Sequence, residues 1–475
     1  MTHDTQGHRV DAAVRPQAEA LAHATLALQR AFGNRVVTSA AVRAQHANTL
    51  AWAATEPPDL VVWPQSTDEV VAIVRICAEH KVPVIAFGAG TSFEGHTNAP
   101  LGGVSVDMTQ MNRLLAVHPE DLDCVIEPGI TRKQLNEQLR DSGLFFPIDP
   151  GADATLGGMV STRASGTNAV RYGTMKDNVL ALTVVTADGE VVVTSRRARK
   201  SSAGYDLTRL FVGAEGTLGI VTQITLKLHG IPEAIAGGLC PFPSIRAACD
   251  AAIATIQTGI PVARVELADG EQMRAINLYS KMTLPEVPTL FVEFHGSDAS
   301  VREQSERFGE IAAEFGGGRF DWATKAEDRT RLWQARHDAY WASMALRPGC
   351  RSIATDVCVP ISRLAACVEE TQRDLAETGL LATIVGHVGD GNFHVLPLID
   401  PEDAGEVARA HAFVERLIDR ALAMEGTCTG EHGVGQKKIK HLVDEHPPAT
   451  LAMMRSIKRT LDPANIMNPG KIVTL

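Results

Sequence analysis

No CxxC pair occurs among the eight cysteines of the 475-residue chain, which stand at positions 77, 124, 240, 249, 350, 358, 367 and 428. Thiols scattered in this way argue against an iron–sulfur cluster of the chain's own and point to reduced cysteines in a reducing compartment. No run of 18 apolar residues is present, which speaks against a membrane span while leaving peripheral docking open. The opening stretch MTHDTQGHRVDAAVRPQ mixes acids with bases and lacks an apolar core, so no export signal is expected. Excess positive charge is also missing. The formal net charge is −11, which argues against a nucleic-acid partner, and the single basic run, Arg196 to Lys200, reads as a solvated loop. Neither the GK[ST] of a Walker loop nor a GxGxxG nucleotide fingerprint is found.

With 45% hydrophobic residues, a chain of this length buries large cores and divides into two to four domains. Residues 14 to 32 carry Ala, Leu and Phe at helical spacing, and Gly33-Asn34 closes them, which predicts an N-terminal helix on the outside of the first domain. Between 57 and 232 β-type runs alternate with helical ones and end in glycine-rich turns, as in an α+β or α/β domain that binds a ligand on its loops. Four such loops stand out: Gly88-Ala89-Gly90-Thr91-Ser92 continuing to Gly95, Asp153 to Gly158 leading into Ser161, Ser165 to Asn168, and Glu215 to Val221. Together they offer backbone donors and hydroxyls suited to a large ligand with a pyrophosphate and a flat ring, although any one alone could be turn chemistry.

The densest chemistry lies at 386 to 394, Gly-His-Val-Gly-Asp-Gly-Asn-Phe-His. Asp390-Gly391 predicts a type I′ hairpin, which would pair Gly389 with Asn392 and His387 with His394 and place both imidazoles and the Asn392 amide on one face. A third ligand is sought in Gly-Glu-His-Gly-Val-Gly at 430 to 435. His387, His394 and Glu431, with open positions and His432 beside them, suit a catalytic divalent ion such as zinc, manganese or ferrous iron. On the residues alone, a polar hairpin and a separate glycine loop with surface histidines is the alternative. A helix expected at 329 to 346 sets Trp333, Arg336 and Tyr340 on one face, where an arginine is either a rim ion pair or a fork for a substrate carboxylate.

Gly88 to Ser92, Phe146 to Asp153, Ala164 to Gly173 and Glu215 to Gly219 resemble the FAD-binding domain of the vanillyl-alcohol oxidase superfamily. The second half resembles the FAD-linked D-2-hydroxy acid dehydrogenases of that superfamily, through Leu332 to His337, Arg347 to Cys350, Thr355 to Pro360, Ile384 to His394, Gly426 to Gly433, Leu461 to Pro463 and Asn468 to Lys471. The resemblance implies a PCMH-type FAD-binding domain of two subdomains at 57–232, preceded by a helical segment at 1–56. An antiparallel-sheet α+β substrate (cap) domain at 233–435 and a tail at 436–475 returning to the flavin domain complete the α+β fold. It implies FAD contacts at Gly88, Ala89, Gly90, Thr91, Ser92, Gly95, Asp153, Thr155, Leu156, Gly158, Ser161, Gly166, Thr167, Glu215, Gly219 and Val221, with Asn468 near the isoalloxazine. No histidine stands within the first loop, and His96 lies beyond it, so the FAD is expected to be non-covalent.

By the same resemblance, His387, His394 and Glu431 hold one divalent metal, zinc or manganese, Arg336 pairs with the carboxylate of a D-2-hydroxy acid, and His432 takes its hydroxyl proton. Asn392 and Tyr340 orient the acid, hydride passes to flavin N5, and a c-type cytochrome or a quinone takes the electrons. D-Lactate is the expected substrate, with Tyr340 and small Ala354 favouring a short apolar acid over a dicarboxylate, and glycolate and D-2-hydroxyglutarate are the alternatives within the family. A metallohydrolase is the expectation of a different class. A bacterial cytoplasmic setting, peripheral to a membrane at most, and a homodimer complete the expectation.

Overall fold

The computed structural model describes residues 15–47, 55–323 and 326–475. The opening stretch read for an export signal therefore lies, through residue 14, outside the described residues. Three large sheets organise the described residues, beside a two-stranded pair of Leu144–Phe145 with His229–Gly230. In the first, strands Leu60–Val62, Val104–Asp107 and Val84–Phe87 run parallel, and Val36–Val37 adds antiparallel to the Leu60–Val62 edge. Parallel strands are covered on both faces, which is why Leu60, Val61 and Val62 are all buried. Helix Thr67–His80 starts on Ser66, whose hydroxyl accepts from Glu69 N, and presents Val70, Ile73, Val74 and Cys77 to this sheet's core. Helix Ala18–Phe32 packs Ala24, Leu28 and Phe32 into the same core. The N-terminal segment is thus built into the first subdomain by a helix face and a strand.

The second sheet is antiparallel, in the order Leu114–His118, Asp123–Ile126, Ile220–Lys227, Val179–Val185, Val191–Val193, and has its own apolar core. The third sheet belongs to the cap and contains Ala234–Pro241, Val262–Ala268, Thr289–Gly296, Ala382–His387 and Asn392–Ile399. Helices Ile245–Gln257, Asp298–Glu314, Ile361–Thr378 and Ala404–Ala423 cover one face of it, meeting Ile384, Phe393 and Val395. Side chains alternate along a strand, so His387 and His394 point to the opposite face, toward the flavin-type domain. The tail crosses back: Val84 pairs with Met467, Asn468 N donates to Val84 O, and Lys458 Nζ donates to Thr217 O.

Two local expectations are corrected. The hairpin turn is not type I′, because Gly391 has φ +80° while Asp390 is not in the positive-φ region, and the pairs are His387 with Asn392 and Val385 with His394. The register differs from the expected one by two residues, and a shift of two leaves every side chain on its face, where a shift of one would have reversed them all. The expected helix at 329 to 346 is two helices, Ala326–His337 and Ala339–Leu346, joined at Asp338. The break keeps Trp333 and Arg336 buried while Trp341 is exposed.

Candidate active site

One cavity of about 400 Å³ separates the flavin-type domain from the cap. Gly88, Ala89, Gly90, Thr91, Ser92, Thr155, Gly158, Ser161, Thr167, Glu215, Gly219, Val221 and Asn468 line one side, and Arg336, Tyr340, His387, His394, Glu431 and His432 the other. Packing is tight behind the first loop: a Cβ on Gly88 would stand 2.2 Å from Thr155 Oγ1. Four of the residues expected at FAD are off this wall. Leu156 is part of the apolar core, Asp153 is exposed, Gly95 packs on Gln436, and Gly166 makes room for the Asp149 backbone. The wall suits a polar, ring-bearing ligand in another respect. Ser92 Oγ, both ring nitrogens of His96, Thr97 Oγ1 and Asn468 Oδ1 are buried on it without a hydrogen-bond partner, a costly state that ligand contacts would relieve.

On the cap side His387 and His394 are diagonal neighbours, with ring centroids 5.6 Å apart and planes at 85°. Glu431 Oε1 lies 3.2 Å from His387 Nε2 and 3.3 Å from His394 Nε2, and ligand atoms of the three residues all fall within 4.8 Å of one another. The Nδ1 atoms are held from behind. His394 Nδ1 is 2.9 Å from Thr355 O, and because a carbonyl only accepts, Nδ1 carries a proton while Nε2 faces the cluster. His387 Nδ1 is likewise 2.7 Å from Glu266 Oε1. Burial pushes the Glu431 carboxyl up, but His387 and His394 outweigh it and hold it well below the ordinary carboxylate range. Its Oε2 is buried with no partner. Two imidazole nitrogens and an ionised carboxylate converging on one point form a donor set that fits a divalent metal.

Asp356, His394 and His432 form a second close group, but Asp356 is already committed. Its Oδ2 accepts from Glu431 N, His432 N and Thr429 Oγ1 at 2.8–2.9 Å, and its Oδ1 from Asn392 Nδ2 at 2.8 Å. Asn392, expected to touch substrate, does not line the cavity and instead braces Asp356 and Val357 O.

His432 stacks on His394 with centroids 5.2 Å apart and planes at 12°, and its Nδ1 is 3.4 Å from Glu94 Oε1. Burial pushes the Glu94 carboxyl up, but Lys438, 3.3 Å away, and His432 hold it at about 2, so it is ionised. Glu215 closes the assembly from the flavin side. Its carboxylate accepts from Val434 N at 2.7 Å and Gly435 N at 2.8 Å, and its carbonyl accepts from Asn468 Nδ2 at 2.7 Å. Both Glu215 and Asn468 hold positive φ, the strained backbone that clusters where a structure fixes it for use.

Arg336 donates from Nη2 to Glu266 Oε2 at 2.5 Å, while its Nε is buried without a partner. Tyr340 lies on the wall beside Phe93, centroids 6.3 Å apart. Reading the sequence missed Glu266, Asp356, Glu94 and Lys438. The signal for Glu266 was available: it stands between Val265 and Leu267 in the strand Val262–Ala268, where a carboxylate is rarely found unless paired.

Residues 58–195 match the FAD-binding domain family, and residues 231–472 match the C-terminal domain of the FAD-linked oxidases. The chain belongs to the FAD-linked oxidases. This FAD-linked oxidase is 51% identical to the probable mitochondrial D-lactate dehydrogenase of Danio rerio over 93% of its length and 89% of that protein's. It is 49% identical to the mitochondrial D-lactate dehydrogenase [cytochrome] of Arabidopsis thaliana, over 88% and 73% of the two chains. A glycolate oxidase subunit of Bacillus subtilis (strain 168) is 34% identical over 87% of this chain and 89% of its own. Among solved structures, p-cresol methylhydroxylase with substrate bound superposes with a TM-score of 0.80 at 19% identity, covering 97% of this oxidase and 98% of that chain. Alkyldihydroxyacetonephosphate synthase gives 0.75 at 20%, covering 97% and 87%. At such identities the two structures show the fold, which is the expected vanillyl-alcohol oxidase type.

Proposed function

We propose that this FAD-linked oxidase converts D-lactate, or a D-2-hydroxy acid of similar size, to the 2-keto acid with non-covalent FAD and one divalent ion, zinc or manganese, at His387, His394 and Glu431. The observation that carries the reading is the single cavity with glycine-rich flavin loops on one wall and the two histidines, Glu431 and Arg336 on the other. When bound, FAD supplies a two-electron acceptor and the ion supplies a Lewis acid that lowers the pKa of a neighbouring hydroxyl. The chain's own residues do the rest. Arg336 donates from its unpartnered Nε to the substrate carboxylate. His432 takes the hydroxyl proton at Nε2, and ionised Glu94, 3.4 Å from Nδ1, stabilises the imidazolium so formed. Tyr340, Ala354, Val385 and Leu396 give the cavity an apolar end for a short alkyl group, which favours lactate over a dicarboxylate.

The relatives named D-lactate dehydrogenase [cytochrome] support a c-type cytochrome as the electron acceptor, with a quinone as the other carrier of that role. Among the described residues no helix is long and apolar enough to cross a membrane. All eight cysteines are free, which supports a reducing compartment such as the bacterial cytoplasm.

Anaerobic spectra of the purified holoenzyme test this. D-Lactate is expected to bleach the flavin fully, with glycolate and D-2-hydroxyglutarate slower. Chelation is expected to abolish bleaching, and zinc or manganese to restore it. Bleaching that survives complete metal removal refutes the metal, and a flavin that no D-2-hydroxy acid reduces refutes the substrate class.

A further inference from the structure

Glu266 is 1% exposed and stands in strand Val262–Ala268 between Val265 and Leu267, both of which face the apolar core. The pairing of Leu267 with Gly386 places Glu266 opposite His387 on the adjoining strand. A carboxylate so deeply buried costs several kcal/mol unless both oxygens are satisfied. Here each oxygen has a different partner: Oε1 lies 2.7 Å from His387 Nδ1, and Oε2 accepts from Arg336 Nη2 at 2.5 Å.

An ionised carboxylate only accepts, so this contact keeps a proton on His387 Nδ1 and turns Nε2, 3.2 Å from Glu431, toward the point where a cation would sit. On Arg336 the same carboxylate occupies one end of the fork and leaves the buried Nε unpartnered. His394 differs in this respect, since its Nδ1 is served by the neutral carbonyl of Thr355, which has no link to the arginine.

We infer that Glu266 is a positioning residue shared by both halves of the hydroxy-acid clamp, setting His387 toward the divalent ion and Arg336 toward the ligand carboxylate. This rests on the metal and substrate reading proposed above. A glutamine at 266 has one acceptor and one donor end, so it cannot satisfy both partners. With the NH₂ toward His387, Nδ1 must accept and the ring proton moves to Nε2, where it opposes a cation. With the NH₂ toward Arg336, two donors meet and the guanidinium turns away.

The experiment uses FAD-loaded wild type, Glu266→Gln and Glu266→Asp. Each is stripped with chelator, titrated calorimetrically with Zn²⁺ and Mn²⁺, and then assayed for D-lactate KM and kcat after reloading. Imidazole ¹⁵N shifts report whether His387 Nδ1 carries a proton in the stripped proteins. Glu266→Gln is expected to keep its FAD, to lose roughly 10–100-fold in affinity for the ion, to raise KM, and to show His387 Nδ1 without its proton. Glu266→Asp keeps the charge but is one methylene shorter, and is expected to recover the Nδ1-protonated tautomer. Wild-type ion affinity and wild-type KM in Glu266→Gln overturn the inference, as does a wild-type His387 whose Nδ1 carries no proton. Should Glu266→Gln fail to fold, the wild-type tautomer and the Glu266→Asp titration decide. If wild type itself binds neither ion, the metal reading fails, and KM together with the tautomer then decides the role of Glu266.

Discussion

Replacing Asp356 by asparagine changes one atom in the middle of the site, and the structure permits its cost to be worked out. Four donors converge on this carboxylate: Glu431 N, His432 N and Thr429 Oγ1 on Oδ2, and Asn392 Nδ2 on Oδ1. If the new NH₂ replaces Oδ2, it faces two backbone N–H groups that cannot rotate away. If it replaces Oδ1, it faces the Asn392 amide, which can turn over only by giving up its 2.8 Å bond to Val357 O. The second arrangement costs less, so one hydrogen bond is lost. The ion pair of the buried carboxylate with Lys438, 3.7 Å away, is lost as well. The lost hydrogen bond to a charged group costs roughly 1.5–3 kcal/mol, and because Lys438 still has Glu94 3.3 Å away, the lost ion pair adds about 1–2 kcal/mol rather than the roughly 3–5 kcal/mol of a buried charge left alone. Urea unfolding of the holoenzyme should therefore show Asp356→Asn destabilised by about 3–5 kcal/mol. Because the amides of Glu431 and His432 are anchored on this residue, loosening it should also slow flavin reduction by D-lactate on the order of 10²-fold, as misplacement of about 1 Å does. A variant within about 1 kcal/mol of wild type and equal to it in stopped-flow reduction would refute the view of Asp356 as anchor of the loop.

His432→Ala should retain FAD and slow anaerobic flavin reduction by on the order of 10²–10⁴-fold, read by stopped-flow at 450 nm or so. A normal rate removes His432 from proton transfer. Asp269 caps helix Gly270–Ser280 by accepting from Gln272 N, yet burial raises its carboxyl to about 7. Its folded pKa lies above the unfolded one, so the folded state binds the extra proton, and stability should fall as pH rises from about 4 to 7. Asparagine caps helices equally well without the charge, so Asp269→Asn should flatten that fall and gain on the order of 1–3 kcal/mol at pH 8. Unfolding curves of both proteins at pH 5 and pH 8 check this, and an unchanged pH slope refutes it.

The glycine and histidine motifs were legible in the sequence because their spacing is local. His387 and His394 sit on one strand pair, and Glu431 and His432 share one loop, so a turn rule and a motif bring them close even though the hairpin register was two residues off. Glu266 and Asp356 were not legible, because each acts through groups far along the chain. Glu266 reaches Arg336 and His387 over 70 and 121 positions, distances that only sheet order supplies. Asn392 was misjudged for a related reason: it shares the histidines' face but is drawn behind the wall by Asp356. Glu215 was expected at the flavin and lines the cavity, but its carboxylate is spent on the amides of the neighbouring loop. The break at Asp338 left no breaker residue to read, since neither Gly nor Pro is there.

Strand Val84–Phe87 carries the first glycine loop, and one of its edges is met by Met467 and Asn468, near the far end of the chain. During synthesis, a ribosome that has released the flavin-type domain and the cap has therefore not yet released the segment that closes the sheet beneath that loop. Asn468, which ties Glu215 and so the loop bearing Glu431 and His432, arrives with it. Oxidation of substrate should begin only once translation has passed this segment, so unfinished chains, though they hold every histidine named here, are silent.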